Sequence, residues 1–155
     1  MSTLRLLLFS LVICSVVVAQ KPTQTDTDTA AINSLYRDWS KATAERGAEG
    51  YISFWVADGA AVLPPDAPAI EGKEAIRQWI QKSLDEYTVK VTSFVPGSMS
   101  VANGWATNRF TMSGERIPKR GGQPVKFNYK YLDVLQKQTD GSWKFVYRMW
   151  NNNEQ

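Results

Sequence analysis

The chain has 155 residues, 43% hydrophobic and 21% charged, enough for one well-buried core and small for two, so a single globular domain is expected. Its 18 Lys plus Arg against 15 Asp plus Glu leave a net charge of only +3, and the basic residues are scattered. A nucleic-acid surface needs a concentrated basic stripe, so nucleic acid is excluded as a partner.

Residues 1–20 carry one positive charge, Arg5, then an apolar run from Leu6 to Val18 broken only by Ser10, Cys14 and Ser15, then Ala19. That order of parts predicts a signal peptide over 1–19, cut before Gln20, and an exported protein, secreted or periplasmic. The run is too short to span a bilayer, which takes roughly 20 residues, so no membrane span is expected. Cys14 follows the bulky Ile13, which argues against a lipidation site. With Cys14 removed and no histidine present, the mature chain has no disulfide and no soft metal ligand. No metal site or cofactor is expected.

Residues 20–28 hold no apolar side chain, which predicts a flexible tether and a domain over 29–152. Asp28 or Thr29 can cap the first helix, whose stripe is Ile32, Leu35, Tyr36, Trp39 and Ala42. Gly47 is its stop. A shorter helix over 48–56 carries Tyr51, Phe54 and Trp55 and ends at Asp58-Gly59. A brief strand over 60–63 precedes the stiff loop of Pro64, Pro65 and Pro68, and Gly72 opens a third helix with Ile76, Trp79, Ile80 and Leu84 on one side.

From Tyr87 the hydrophobic period becomes two. Strands are predicted over 87–95, 98–102, 105–117, 125–137 and 142–150, divided by Pro96-Gly97, Asn103-Gly104, the loose 118–124 loop and Asp140-Gly141. Sequential hairpins imply an antiparallel sheet. The fold class is therefore α+β, a curved sheet packed against about three N-terminal helices.

A two-residue turn at Asp140-Gly141 sets Asp133 opposite Arg148, Leu135 opposite Val146 and Tyr131 opposite Trp150 on one face. Leu132, Val134, Phe145, Tyr147 and Met149 fall on the other face, which a second copy of the chain could cover. An ion pair inside an apolar face is the leading candidate site. Asp133 and Arg148 are its candidate catalytic residues, through Arg148 stabilising developing negative charge or the pair orienting a polar group, against the plainer reading of a cross-strand salt bridge. Of the aromatics, Tyr36, Trp39, Trp55, Tyr131 and Trp150 are the candidate ligand-binding residues. Asn108 and Arg109 alternate faces, and periodicity alone leaves open which points inward.

These residues resemble the nuclear-transport-factor-2-like superfamily, in its SnoaL-like and ketosteroid-isomerase-like branch, and are most similar to secreted bacterial domains of unknown function. The resemblance is carried by Trp39 ahead of Gly47, by the runs Phe54 to Pro65 and Ile70 to Ile76, by Asp140-Gly141-Ser142-Trp143-Lys144, and by the closing Trp150-Asn151. It implies a cone-shaped pocket and, in many relatives, a homodimer. Ketosteroid isomerase places an Asp base, a Tyr and a protonated Asp in that cone. The resemblance brings the base position to Pro64, which cannot abstract a proton, and the Tyr position to Ser40, with Tyr36 one turn away. The third position falls at Asp133, and Asp66 is the only acid near Pro64. The functional expectation is an exported small-molecule-binding pocket protein. A lyase, isomerase or hydrolase working by acid-base catalysis, and a non-catalytic dimeric interaction module, are the alternatives.

Overall fold

The computed structural model describes residues 23–153. The predicted signal peptide, Cys14 and the start of the predicted tether lie outside them. The described residues form two helices and six strands in chain order: α1 (Gln24–Ile52), β1 (Ala61–Leu63), β2 (Ile70–Glu71), α2 (Lys73–Glu86), β3 (Tyr87–Ala102), β4 (Trp105–Pro118), β5 (Val125–Lys137) and β6 (Trp143–Asn152). The strands make one curved, unclosed sheet in the order β2-β1-β6-β5-β4-β3, with the helices against it. This is the expected α+β cone. No helix among the described residues is long and apolar enough to cross a membrane.

Helix α1 starts earlier than predicted. Residues 24–28, assigned to the tether, are already helical because Thr23 and Asp26 close a reciprocal capping box. The segment is also docked: Lys137 Nζ donates to Asp28 Oδ1 at 2.6 Å, and Asp28 is buried. That hydrogen bond holds the Asp28 carboxyl below its ordinary range. An absence of apolar side chains therefore misled, since a capped turn and a long-range ion pair order these residues without them.

Of the predicted stripe, Ile32, Leu35 and Ala42 are buried, and Tyr36 and Trp39 are partly buried against the same core. At Gly47 the backbone turns to φ 60°, ψ −134°, breaking α1 into two segments. With α2 this makes three helical segments on the sheet. The second ends at Ile52, not at Val56, because Trp55 and Val56 leave the helix to bond with β6: Val56 N–H donates to the Phe145 carbonyl at 3.0 Å and Phe145 N–H to the Phe54 carbonyl at 2.9 Å.

In the sheet, Asn103-Gly104 forms the two-residue turn expected, both residues having positive φ. Pro96-Gly97 does not divide β3. The strand runs through with an irregularity between Pro96 and Met99; β3 is the sheet's edge, where proline is accommodated. The pairing of β1 with β6 is parallel, whereas the four long strands are antiparallel.

The β5–β6 hairpin corrects the predicted register near its turn. Gln138 N–H donates to the Ser142 carbonyl and Gly141 N–H to the Gln138 carbonyl, so the loop has three residues, Thr139 to Gly141, closed by Gly141 at φ 85°. Leu135 consequently faces Phe145 rather than Val146. A bulge at Val146 then absorbs one residue, and beyond it Asp133 does face Arg148 and Tyr131 does face Trp150. The same bulge turns Phe145 inward: predicted on the outer face, it is fully buried in the main core with Trp55, Val62 and Leu135.

Candidate functional site

Asp133 and Arg148 come from neighbouring strands, and α1 lays Tyr36 and Trp39 over them. Arg148 Nε donates to Asp133 Oδ1 at 2.9 Å and Nη2 to Oδ2 at 2.6 Å, a bidentate pair. The Tyr36 hydroxyl donates to Oδ2 at 2.7 Å from 97 residues away in sequence. Asp133 is 0% exposed and Arg148 6%. Three hydrogen bonds on two oxygens offset what a carboxylate loses when it leaves water.

The guanidinium sits in an aromatic box. Its carbon lies 4.3 Å from the Trp39 ring centroid, 5.0 Å from Phe145 and 5.7 Å from Tyr131. The guanidinium lies over the three rings, whose negative faces attract a desolvated cation. Burial alone works against the charge of Arg148, but the Asp133 carboxylate outweighs it and keeps the guanidinium protonated well beyond the ordinary arginine range. Burial, then the negative charge of Asp133, raises the Tyr36 phenol above its usual range, so it stays a neutral donor. Burial likewise raises Tyr51 and Tyr131.

Of the residues expected to meet a ligand, Trp55 is corrected. It is 0% exposed and stacked among Tyr51 and Phe145, a core side chain. Trp39 packs over Arg148 and donates its Nε1 hydrogen to the Tyr51 carbonyl at 3.2 Å, so it seals the pair. Tyr131 and Trp150 are half-buried and stack on each other with centroids 5.9 Å apart. Trp79 of α2 packs against Trp150 at 5.9 Å and Phe110 stacks on Tyr131 at 4.8 Å. These rings form a wall beside the sealed pair.

Asn108 is the inward member of its pair. It lies opposite Asp133 in register and so on the same face, while Arg109 faces out and bonds Ser98 Oγ at 3.0 Å. The sequence reading also missed Tyr51 as a neighbour of Arg148. Its place in the second helical segment, beside Trp55, was visible; that the Gly47 break swings it toward β6 was not. Asp66 lies exposed on its loop at φ 56° and takes no part in the constellation.

The arrangement limits the available chemistry. Both oxygens of Asp133 are occupied, and the Tyr36 proton is committed to one of them. Three grooves of about 370 to 410 Å³ on the described surface are lined by neither Asp133 nor Arg148. A base role would require the bidentate pair to open first. As it stands, the constellation is a polar floor that fixes the positions of Tyr36, Trp39 and Tyr131 for the wall above it.

Comparison with known proteins agrees with this architecture. A model of the SnoaL-like domain matches residues 24–149. Similar solved structures include a ketosteroid isomerase-like protein from Erwinia carotovora atroseptica (18% identity, 81% of this chain and 96% of that one, TM-score 0.70). A nuclear transport factor 2-like superfamily protein from Salmonella enterica gives 12% identity over 84% and 94% of the two chains, with TM-score 0.72. ActVI-ORFA from Streptomyces coelicolor gives 17% identity over 82% and 98%, with TM-score 0.66. At these identities the likeness is one of fold. No curated protein matches the chain.

Proposed function

The chain belongs to the SnoaL-like domain family, and from that premise we propose that it is an exported, non-catalytic pocket protein taking a small, partly apolar molecule against the aromatic wall of its cone. The observation that carries this reading is the wall itself. Tyr131, Trp150 and Trp79 are half-buried on the concave side, and β3 extends the apolar surface past them through Val89, Val91 and Phe94, which are about half exposed. Concave, mostly apolar surface with a few fixed polar groups is the usual form of a small-molecule site. The burial of Asp133 and its engagement by Arg148 and Tyr36 favour binding over the acid-base alternative.

The outer face favours the dimer as a second element of the proposal. Trp105, Tyr147, Met149 and Val95 are exposed there, 36% to 56% each, over the floor of the groove that Leu132 and Met149 line. Such a patch is costly in water unless something covers it, and a second copy of the chain would.

One preparation tests the three parts. Exported protein should have an intact mass beginning at Gln20, scatter light as a dimer at micromolar concentration, and bind the neutral fluorophore N-phenyl-1-naphthylamine. Trp150→Ala should weaken that binding about tenfold, the loss expected when a stacked ring leaves a pocket. A mass retaining Cys14, a strict monomer, or a fluorophore bound equally well by Trp150→Ala would each remove the corresponding part.

A further inference from the structure

We propose that Arg116 is an anion subsite at the outer end of the cone, so that the ligand of this protein is amphipathic, a flat apolar body ending in a singly charged oxyanion. The inference rests on the pocket reading above and names the chemistry of what the pocket takes.

Arg116 lies on β4 opposite Val89 and Val125, and the two-residue period of the strand puts it on the concave face with Phe110 and Met112. Its Nε is buried without a hydrogen-bond partner. Nη2 has only a long contact, 3.5 Å, to the Tyr129 hydroxyl, and the guanidinium carbon lies 5.9 Å from the Tyr87 ring. Among the described residues no carboxylate lies within 4.0 Å of it. Glu115, the neighbouring acid, belongs to the opposite face by alternation and is in register with Lys90 and Lys126.

The contrast with Arg148 is informative. Both arginines occupy the concave face, but one has a bidentate carboxylate and the other a buried Nε with no acceptor and a single long hydrogen bond to a hydroxyl. A buried N–H without an acceptor is disfavoured, and a guanidinium is shaped to receive two oxygens of one anion. Rings join the two ends: Tyr129 and Tyr131 at 6.2 Å, Tyr131 and Trp150 at 5.9 Å, Trp150 and Trp79 at 5.9 Å. A planar apolar body lying along Tyr129, Tyr131 and Trp150 would bring a terminal oxyanion to Arg116. Arg148, already paired, would not compete for it.

Two fluorophores that differ in one group separate the claims. 1-Anilinonaphthalene-8-sulfonate has the body of N-phenyl-1-naphthylamine plus a sulfonate. Wild-type protein should bind the sulfonate more tightly, and Arg116→Met should cost it about tenfold in affinity, the worth of one charge-assisted hydrogen-bonded contact, while leaving the neutral probe unchanged. Lys126→Met, which removes a cation from a nearby exposed site, should alter neither. Should Arg116→Met fail to fold, Arg116→Lys keeps charge and stem but loses the fork, and the sulfonate should still bind more weakly while the neutral probe does not. If the neutral probe binds and the sulfonate has no advantage, or keeps it in both Arg116 variants, the subsite is overturned and the pocket reading stands. If neither probe binds wild type, the pocket reading fails and takes the subsite with it.

Discussion

Replacing Arg148 by Met is expected to destabilise the protein by about 3–5 kcal/mol, because it strands the Asp133 carboxylate in the core with only the Tyr36 hydroxyl as donor. The Asp133→Asn/Arg148→Met double variant should recover a large part of that loss. Asparagine can still accept from Tyr36, no charge remains buried, and Met fills part of the box under Trp39, Phe145 and Tyr131. Urea unfolding with an unchanged slope gives both values, and the cycle gives the coupling between them. Two nearly neutral single variants would mean that the pair is hydrated, and the polar floor would have to be abandoned. The protein's tolerance of the neutral pair also bears on function. If the double variant binds N-phenyl-1-naphthylamine as wild type does, the pair supports the wall without touching the ligand.

The second large effect is expected at Gly50, where alanine should cost about 3 kcal/mol or more. After the break at Gly47 the chain folds back, so that Gly50 lies against the Ala42 backbone; a methyl there would overlap the Ala42 carbonyl oxygen. Backbone on one side and helix on the other leave no flexible side chain to yield. The next residue, Tyr51, holds the Trp39 indole through its carbonyl, so a shift at Gly50 propagates to the lid over Arg148. Gly59→Ala is the comparison. Its φ of 73° makes alanine strained, but nothing lies within 4 Å, and about 1 kcal/mol is expected from the left-handed backbone alone. Equal losses at the two positions, read from denaturant midpoints, would show that backbone conformation rather than close packing governs Gly50.

Much of the fold was legible because its signals are local. The stripe from Ile32 to Ala42 follows from helical spacing, and Asn103-Gly104 demands its turn because both residues tolerate positive φ. The pairing of Asp133 with Arg148 was also read correctly, but through two departures that cancel. The turn is one residue longer than the Asp140-Gly141 dipeptide implies, and the Val146 bulge takes that residue back. Phe145, which lies between turn and bulge, shows the error openly by facing the core. The tether failed for a different reason: residues 24–28 are ordered by the Thr23–Asp26 capping box, a local signal that the lack of apolar side chains obscured, and by Lys137, more than a hundred positions away.

By itself the sequence determined the α+β order of elements, the family, the aromatic and ionic makeup of the concave face and the neighbourhood of Asp133 and Arg148. The order of elements and the neighbourhood of the pair rest on periods of two or 3.6 residues and on turn chemistry, which act between residues close in the chain, and the family on the resemblance of short runs such as Phe54 to Pro65 and Ile70 to Ile76. Only the tertiary structure decided that the pair is sealed by Tyr36 and Trp39, that Trp55 is core, that Asn108 rather than Arg109 points inward, and that Arg116 is left without a carboxylate. Burial and pairing of that kind depend on where α1 crosses the curved sheet. That crossing is set by the Gly47 break, the Gly50 contact and the bulge at Val146 acting together.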